Sequence, residues 1–315
     1  MSERKPSAEG VAAAAKRIAG MVTQTPLLPF LHGDRHYWVK PECLQQSGSF
    51  KLRGASNRLA QLSEPERARG VVAFSSGNHA QGVAVAAQRL GISATIVMPA
   101  DAPVVKVGGT RAAGAEIVFF DRATGSREAI GARLAAEQGA TLVPSFDDVD
   151  VIEGQGTAGV EIREQLGHAP PMVIVPCGGG GLSGGIALAL PESQVVAVEP
   201  DGWDDMTRSL ALGRIVPVEE PAPPSQCDAL QTKLVSPLTF AALREAGARG
   251  LSVSEEEVEA AMRFAFRNLR IVAEPGGAVA LAALLSGKVD APAGSVVVVS
   301  GGNVDRALYA RILGR

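Results

Sequence analysis

Residues 172–185 read MVIVPCGGGGLSGG, a short apolar run followed at once by four consecutive glycines. The run predicts a buried β-strand over 172–175, and the glycines predict a loop that opens a helix. Exposed backbone N–H groups and the positive end of a helix at such a turn hold an anion, most often a phosphate. A tight β-to-α turn needs fewer than four glycines, so an anion-binding role is favoured.

The same region has nearly the length of a membrane span, since the 19 residues 172–190 carry no charge. They include Pro176 and six glycines, however. Each glycine inside a helix costs roughly 0.5–1 kcal/mol relative to alanine. The N-terminal segment 1–10 is polar and lacks the apolar core of a signal peptide. We therefore expect a cytoplasmic protein with no membrane partner.

On both sides of this loop, short β-branched runs alternate with alanine-rich helical segments. Strands are predicted over 71–74, 93–98, 116–120, 172–175, 194–199 and 295–299, and helices over 78–90, 103–113, 126–138 and 151–165. Strands separated by helices of this length form βαβ units. Such units give mostly parallel sheets with helices on both faces. The predicted fold class is therefore α/β.

The length of the chain, 315 residues, exceeds what one hydrophobic core usually supports. The alternating pattern begins near residue 70 and is interrupted near 144–150. We therefore predict two domains. A small domain spans 70–147, and a large domain is formed by 1–69 together with 148–315.

The composition is that of an ordinary globular protein. Apolar residues make up 46% and charged residues 20%, while glycine, at 36 of 315 or about 11%, exceeds its usual share of ~7%. The net charge of −3 provides no basic surface, which argues against nucleic acid as a partner. An odd number of cysteines, Cys43, Cys177 and Cys227, indicates a reducing compartment.

Two known motifs also match the glycine loop. Gly179, Gly181 and Gly184 fit the dinucleotide fingerprint, and Glu199 lies 20 residues after Gly179, where a ribose-binding acid would be. Residues 181–185 fit the nucleophile elbow of hydrolases, which requires a histidine after the serine. That interpretation fails because every histidine precedes the loop: His32, His36, His79 and His168. The dinucleotide interpretation remains open on these residues alone.

Two further segments have the features of a ligand site. Lys51 begins a predicted helix with Ser49 as a suitable N-cap, although a single lysine on a helix is usually just solvated. The loop SSGNHAQG, residues 75–82, directly follows the strand predicted over 71–74. Small hydroxyl residues and glycine at a helix N-terminus make a second anion-binding turn, or an N-cap with nothing bound.

Taken together, these segments resemble those of fold-type II enzymes that depend on pyridoxal 5′-phosphate (PLP), in the serine/threonine dehydratase and serine racemase family. The resemblance rests on the Lys51 block, the loop at 75–81, DDVDVIEGQGT at 147–157, the four glycines, EPGG at 274–277 and SGGN at 300–303. It implies the two-domain, tryptophan synthase β-like fold, with PLP in the large domain. The dinucleotide match is then a coincidence, because the same loop would hold the PLP phosphate.

The resemblance also implies roles for particular residues. Lys51 would form the Schiff base with PLP and later remove the substrate α-proton. Phe50 would pack near the cofactor ring, and Asn78 would hydrogen-bond its hydroxyl. The phosphate would accept hydrogen bonds from four consecutive backbone N–H groups, those of Gly178, Gly179, Gly180 and Gly181. The substrate carboxylate would bind along the loop formed by Ser75, Ser76, Gly77, Asn78 and His79.

The implied reaction is the dehydration of a β-hydroxy amino acid of the serine/threonine type. Loss of the α-proton and the β-hydroxyl would give an aminoacrylate, which hydrolyses to a 2-oxo acid and ammonia. Serine racemase and hydroxyaspartate dehydratase are alternatives within the family, and an NAD-dependent oxidoreductase is a remote one.

Two serines bear on that choice. Ser300 would face the pyridine nitrogen, and a hydroxyl there leaves the nitrogen largely unprotonated, which suits β-elimination. Ser76 would lie on the ring face opposite Lys51. A hydroxyl there could move a proton on that face, as racemisation requires.

A cation site and an assembly state are also implied. Glu199, the carbonyl of Trp203 and Asp205 match the metal segment of the family, and such oxygen ligands suit Mg²⁺, Ca²⁺ or Mn²⁺. Small residues are commoner than tryptophan at the middle position. Related enzymes are usually dimers, so we expect a homodimer that acts on a small amino acid substrate.

Overall fold

The structure is a computed structural model that describes residues 4–75, 77–102, 104–121 and 125–314. In chain order the strands are β1 (Leu28–His32), β2 (Arg35–Pro41), β3 (Val71–Phe74), β4 (Ala94–Pro99), β5 (Glu116–Phe120), β6 (Thr141–Leu142), β7 (Met172–Pro176), β8 (Gln194–Pro200), β9 (Arg249–Val253) and β10 (Val296–Val299). The α-helices are α1 (Ala8–Arg17), α2 (Lys51–Ala60), α3 (Glu64–Arg69), α4 (Asn78–Leu90), α5 (Val104–Ala112), α6 (Arg127–Gln138), α7 (Val149–Leu166), α8 (Gly181–Ala189), α9 (Asp205–Leu212), α10 (Pro237–Glu245), α11 (Glu255–Phe264), α12 (Pro275–Leu285) and α13 (Arg306–Leu313).

Two sheets organise the described part of the chain. The larger has the strand order β1-β2-β10-β7-β8-β9, and its strands pair in parallel except for the antiparallel β1–β2 hairpin. The smaller has the order β5-β4-β3-β6 and is parallel throughout. The non-consecutive order follows from the crossover helices that parallel pairing requires.

Helices cover both faces of the larger sheet. Alternate residues of a strand point to opposite faces. In β7, Ile174 packs in the cluster that contains α11 and α12, whereas Val173 packs in the cluster that contains α7, α8 and α10. All four residues of β10 are buried, which explains the unbroken valine run there.

Helix α2, which begins with Lys51, lies between α4 and α7. Leu52 and Leu59 pack with Val83 of α4 and Val151 of α7 in one core cluster. Helices α2 and α7 come so close that a Cβ on Gly154 would lie 2.6 Å from the Cα of Gly54. The position of Lys51 is therefore set by helix packing.

The carboxyl ends of the strands carry the predicted site residues. Gly178 follows β7, Ser300 follows β10 and Ser75 follows β3. Ligands of open α/β sheets bind beside such ends.

The predicted α/β class is confirmed, and helix α4 occupies the predicted bounds, 78–90. Strands β1, β2, β6 and β9 were not among the predicted strands. The smaller sheet lies within 71–142, inside the range predicted for the small domain; the domain boundaries themselves stay a prediction. Among the described residues, no helix combines the length and apolar character needed to cross a membrane.

Candidate active site

The amine of Lys51 is held at the start of α2. Its Nζ donates a hydrogen bond to the carbonyl of Ser145 at 2.7 Å and lies 5.1 Å from the centroid of the Phe50 ring. Loss of water around the amine lowers the pKa of Lys51 to about 8. A useful fraction of the amine is therefore uncharged near neutral pH, as a nucleophile or a base must be.

The residue after Ser145 connects this amine to the glycine loop. The ring of Phe146 covers Gly179 so closely that a Cβ on Gly179 would lie 2.3 Å from the ring. A Cβ on Gly181 would lie 3.2 Å from the Cβ of Phe146. Lys51 and the glycine loop thus share one neighbouring segment.

The glycine loop forms a tight cradle at the start of α8. Gly180 has a φ of +85°, which favours glycine, and a Cβ there would lie 2.8 Å from both Met206 and Thr239. The hydroxyl of Thr239 donates to the carbonyl of Gly179 at 2.8 Å and so helps to hold the loop in this conformation. The first amides of a helix have no partner within it, so this end of α8 can bind an anion.

Asn78, in the first turn of α4, is held by residues from distant parts of the chain. Its amide nitrogen donates to Glu274, and its Oδ1 accepts a hydrogen bond of 2.8 Å from Asn303. Asn303 also donates to the carbonyl of Ser47 at 2.9 Å. These contacts fix the orientation of the Asn78 amide.

Glu274 is a buried acid beside this network. Its Oε2 has no hydrogen-bond partner within the described structure, and burial raises the pKa of Glu274 to about 7. A Cβ on Gly301 would lie 2.2 Å from Glu274 Oε1, so a larger residue there would displace the carboxyl group. The EPGG motif marked this region, but no role was predicted for the acid.

Ser300 is buried just after β10. Its carbonyl accepts a hydrogen bond of 3.1 Å from the backbone N–H of Phe50. An antiparallel bridge between Ser49 and Gly301 adds a second link. The structure therefore brings Ser300 and the Lys51 segment together.

The loop before α4 is described at Ser75 and Gly77. The hydroxyl of Ser75 accepts from the N–H of Gly77 at 3.1 Å. His79 is buried with Nε2 2.9 Å from the carbonyl of Val143, and burial, with the charge of Lys51, lowers its pKa to about 3. His79 is therefore neutral. Ser76 lies outside the described residues.

Glu199 and Asp205 form a separate buried acidic pair. Glu199 Oε1 accepts from the N–H of Met206 at 3.0 Å, and Oε2 accepts from the N–H and the hydroxyl of Thr207, both at 2.7 Å. Both carboxyl oxygens of Asp205 lack a hydrogen-bond partner in the described part of the chain. The indole of Trp203 points elsewhere and donates to the carbonyl of Pro223 at 2.9 Å.

Burial raises the pKa of both acids, that of Asp205 to about 7 and that of Glu199 well above its ordinary value. A buried carboxylate without a partner is costly, and a bound cation would remove that cost. Within the described ranges, however, no three His, Cys, Asp or Glu side chains form a metal cluster. The two carboxylates could hold a cation only together with backbone or solvent oxygens.

These features can be compared with known proteins. The model of the pyridoxal-phosphate dependent enzyme family matches residues 18–301. The chain belongs to this family. The matched range contains Lys51, the glycine loop and Ser300. The candidate site can therefore be interpreted as that of a PLP-dependent enzyme.

Individual relatives within the family are similar over nearly the whole chain. The L-threo-3-hydroxyaspartate ammonia-lyase of a Pseudomonas species is 44% identical over 309 residues, 95% of this chain and 96% of the relative. The L-threonine ammonia-lyase of Thermotoga maritima is 42% identical, covering 88% of this chain and 70% of the relative. Among solved structures, maize serine racemase has a TM-score of 0.92 at 35% identity and covers 98% of this chain and 97% of that one.

Family membership confirms the predicted resemblance, the fold type and PLP as cofactor. The roles of the individual PLP-family residues and the divalent cation stay predictions. Prediction from the sequence missed several residues that meet here: Lys106, Ser145, Phe146 and the role of Glu274. The one available signal was the position of Ser145 and Phe146 directly before the 147–157 motif.

Proposed function

We propose that the protein is a PLP-dependent ammonia-lyase that converts a β-hydroxy amino acid into a 2-oxo acid and ammonia. The observation that carries the proposal is the Lys51 amine, whose pKa is lowered to about 8 and which shares the segment 145–146 with the glycine cradle. Relatives named as ammonia-lyases support the reaction type.

The residues present fit PLP. The cradle at Gly178, Gly179, Gly180 and Gly181 would hold the phosphate, with the Phe50 ring beside the amine and Asn78 near the ring hydroxyl. Ser300, tied to the Phe50 backbone, is suited to the pyridine nitrogen. When bound, PLP supplies an aldehyde for the substrate amine and an electron sink that acidifies the α-carbon.

The chain itself would bind the substrate and move the proton. Lys51 takes the α-proton, because its amine is uncharged in part at neutral pH. The backbone around Ser75, Gly77 and Asn78 binds the carboxylate at the start of α4. Burial alone lowers the pKa of Lys51, and the neutral ring of His79 adds no charge beside the amine.

Racemisation is a second candidate. Ser76 supports it as a proton donor on the opposite face, and the likeness to maize serine racemase supports it further. A hydroxyaspartate dehydratase is the third member of the same set, supported by the 44% identical Pseudomonas relative.

We also propose a divalent cation, Mg²⁺, Ca²⁺ or Mn²⁺, at Glu199, Asp205 and the carbonyl of Trp203. The unpartnered carboxylate of Asp205 supports this site. Millimolar MgCl₂ or CaCl₂ is expected to raise the Tm of the wild type and to leave that of Asp205→Asn unchanged. Sodium chloride at equal ionic strength is the control. An equal response of both proteins would contradict the site.

Three further expectations concern the assembly, the location and the domain boundaries of the protein. We propose a homodimer, a cytoplasmic location and the division into 1–69 with 148–315 and 70–147. The three cysteines, Cys43, Cys177 and Cys227, are free, as a reducing compartment favours. Light scattering tests the dimer, fractionation of cells tests the location, and limited proteolysis tests the domain boundaries.

The central test of the function is a product assay. The purified holoenzyme is incubated with L- and D-forms of serine, threonine and 3-hydroxyaspartate, and 2-oxo acid, ammonia and the enantiomer are measured. Elimination products from at least one substrate are expected. Borohydride treatment should attach the cofactor to Lys51, as peptide mass spectrometry would show. A holoenzyme that forms neither product nor enantiomer would overturn the proposal.

A further inference from the structure

A buried ammonium group faces the cleft between the two sheets. Lys106, on α5 beside the smaller sheet, is only 4% exposed. Its Nζ forms an ion pair with Asp228, which belongs to a short turn, Asp228–Leu230, on the side of the larger sheet. A lysine with so little solvent requires an anion, since an unpaired buried charge is strongly unfavourable.

The same amine borders a cavity at the predicted site. The cavity has a volume of about 210 Å³ and is lined by Lys106, Asp228, Glu274 and Asn303, among others. Glu274 contacts Asn78, so the cavity adjoins the predicted cofactor residues. A Cβ on Gly77 would lie 3.4 Å from Lys106 Nζ, which places the amine against the loop predicted to bind the substrate carboxylate.

The acids around Lys106 differ in how firmly they are placed. Asp228 has a side chain that is 45% exposed and can turn toward water. Glu274 is buried and bound to Asn78. Asp305 accepts hydrogen bonds from the first amides of α13 at 2.9 and 3.0 Å. Of the three, Asp228 is the partner that an incoming anion can replace.

We propose that Lys106 recognises a second carboxylate, carried on the β-carbon of the substrate, and so makes the enzyme selective for 3-hydroxyaspartate-type dicarboxylic substrates. The inference rests on the proposed function and adds the residue that selects the substrate. The α-carboxylate of such a substrate lies on the loop at Gly77, and its β-carboxylate takes the place of Asp228 at Lys106.

The pairing explains discrimination in both directions. The side chains of serine and threonine bring no anion, so Lys106 stays with Asp228 and gains nothing. A substrate with a β-ammonium group, such as 2,3-diaminopropionate, meets a like charge at Lys106 and is disfavoured. A dicarboxylic substrate replaces the carboxylate of Asp228 at Lys106 with its own β-carboxylate, and the side chain of Asp228 becomes solvated.

The experiment compares the wild type with Lys106→Met, Lys106→Gln and Asp228→Asn in the holoenzyme. The readout is the ratio of kcat/KM for L-threo-3-hydroxyaspartate to kcat/KM for L-serine, with 2,3-diaminopropionate as a third substrate. We expect both Lys106 variants to lower the ratio by about 100-fold, the effect of truncating one partner of a buried charge pair. Asp228→Asn should raise the ratio, because it removes the competing carboxylate.

Lys288→Met is the matched control, since Lys288 pairs with Glu257 on the surface. Its ratio should equal that of the wild type. An equal loss for all substrates in the Lys106 variants would overturn the inference and leave Lys106 as a contact that only closes the cleft. A wild type that prefers serine or 2,3-diaminopropionate would overturn it too.

A binding measurement separates this inference from the proposed function. Succinate, which cannot react, is titrated against the holoenzyme by thermal shift, with propionate as the monoacid. Succinate should stabilise the wild type and not Lys106→Met, even if no lyase activity is found. Equal responses to succinate in the two proteins would contradict Lys106 as a carboxylate site, whatever the reaction.

Discussion

Lys51 Nζ and the carbonyl oxygen of Ser145 lie 2.7 Å apart, although the two residues are 94 positions apart in the chain. The next residue, Phe146, covers Gly179. The Lys51 amine and the glycine loop, which we propose as the reactive amine and the phosphate site, therefore both contact residues 145–146, so a substitution at one should alter the other.

The lowered pKa of Lys51 predicts the pH dependence of PLP capture by the apoenzyme. Because the amine has a pKa of about 8, its uncharged fraction rises about tenfold between pH 7 and pH 9 and then levels off. Stopped-flow absorbance should show that the rate of PLP capture follows this curve. The reaction of PLP with N-acetyl-lysine, measured in parallel, serves as the reference. A rate that keeps rising beyond pH 9.5 would indicate an ordinary lysine. Lys51→Ala should lack the visible absorption band of the imine between PLP and Lys51 altogether.

Gly179→Ala should weaken PLP binding about tenfold or more. The added Cβ would lie 2.3 Å from the Phe146 ring, which must move away from the cradle and from the Lys51 segment. Fluorescence titration of the apoenzyme with PLP measures the loss. Gly108→Ala is the control, because a Cβ there meets nothing within 4 Å. Equal affinities of Gly179→Ala and the wild type would show that the ring is not constrained.

Glu42→Gln should destabilise the protein by about 3 kcal/mol at pH 7, since it breaks a buried charge pair. Glu42 accepts two hydrogen bonds of 2.7 Å from Arg53, which stands two residues after Lys51. Burial is the largest single influence and alone would raise the pKa of Glu42. The charge and hydrogen bonds of Arg53, the charge of Lys40 and the hydrogen bond from Thr25 together outweigh it, so the pKa lies below its ordinary value.

The sign of the pH effect follows from that depressed pKa. The stabilisation is complete above the unfolded value of about 4.3 and is lost as the pH falls through the folded value. Urea unfolding should therefore show a smaller effect of Glu42→Gln at pH 4 than at pH 7. Glu137→Gln, which breaks the exposed pair with Arg133, should have little effect at either pH. A loss independent of pH would contradict the ionic origin.

Ser76→Ala tests the balance between the two reactions. If its hydroxyl transfers the proton on the second face, the ratio of racemisation to elimination should fall at least tenfold. The ratio is read from enantiomer and 2-oxo acid formed in the same sample. Thr110→Ala is the control, since its buried hydroxyl donates to the carbonyl of Lys106 within α5. An equal fall of both reactions would assign Ser76 a structural role.

Much of the fold could be predicted because its signals are local. Helix α4 and strands β3 and β5 lie at their predicted bounds, since their periodicity and flanking glycines are contained in a few residues. The β1–β2 hairpin was missed even though Gly33 and Asp34 form a two-residue loop, a recognised hairpin signal. Its strands contain Pro29 and several charged or polar residues, which obscured the alternation.

The site could be predicted only where a motif marks it. The glycine loop and Lys51, which the structure places beside the same segment, could be singled out because their sequence neighbours are distinctive. Glu274 reaches Asn78 across 196 positions, and Lys106 reaches Asp228 across 122. Such contacts depend on how the two sheets approach each other, which no local pattern records.

The hydrogen bond from the Phe50 backbone to the Ser300 carbonyl joins main-chain atoms, so no substitution except proline at position 50 removes its donor or acceptor. The Lys51 segment and Ser300, which we propose contact the cofactor ring, are thereby linked through the backbone. Lys106, by contrast, reaches the cleft from the opposite lobe. On the proposed role of Lys106, substitutions in that lobe would change which amino acid is accepted without altering the backbone link between the Lys51 segment and Ser300.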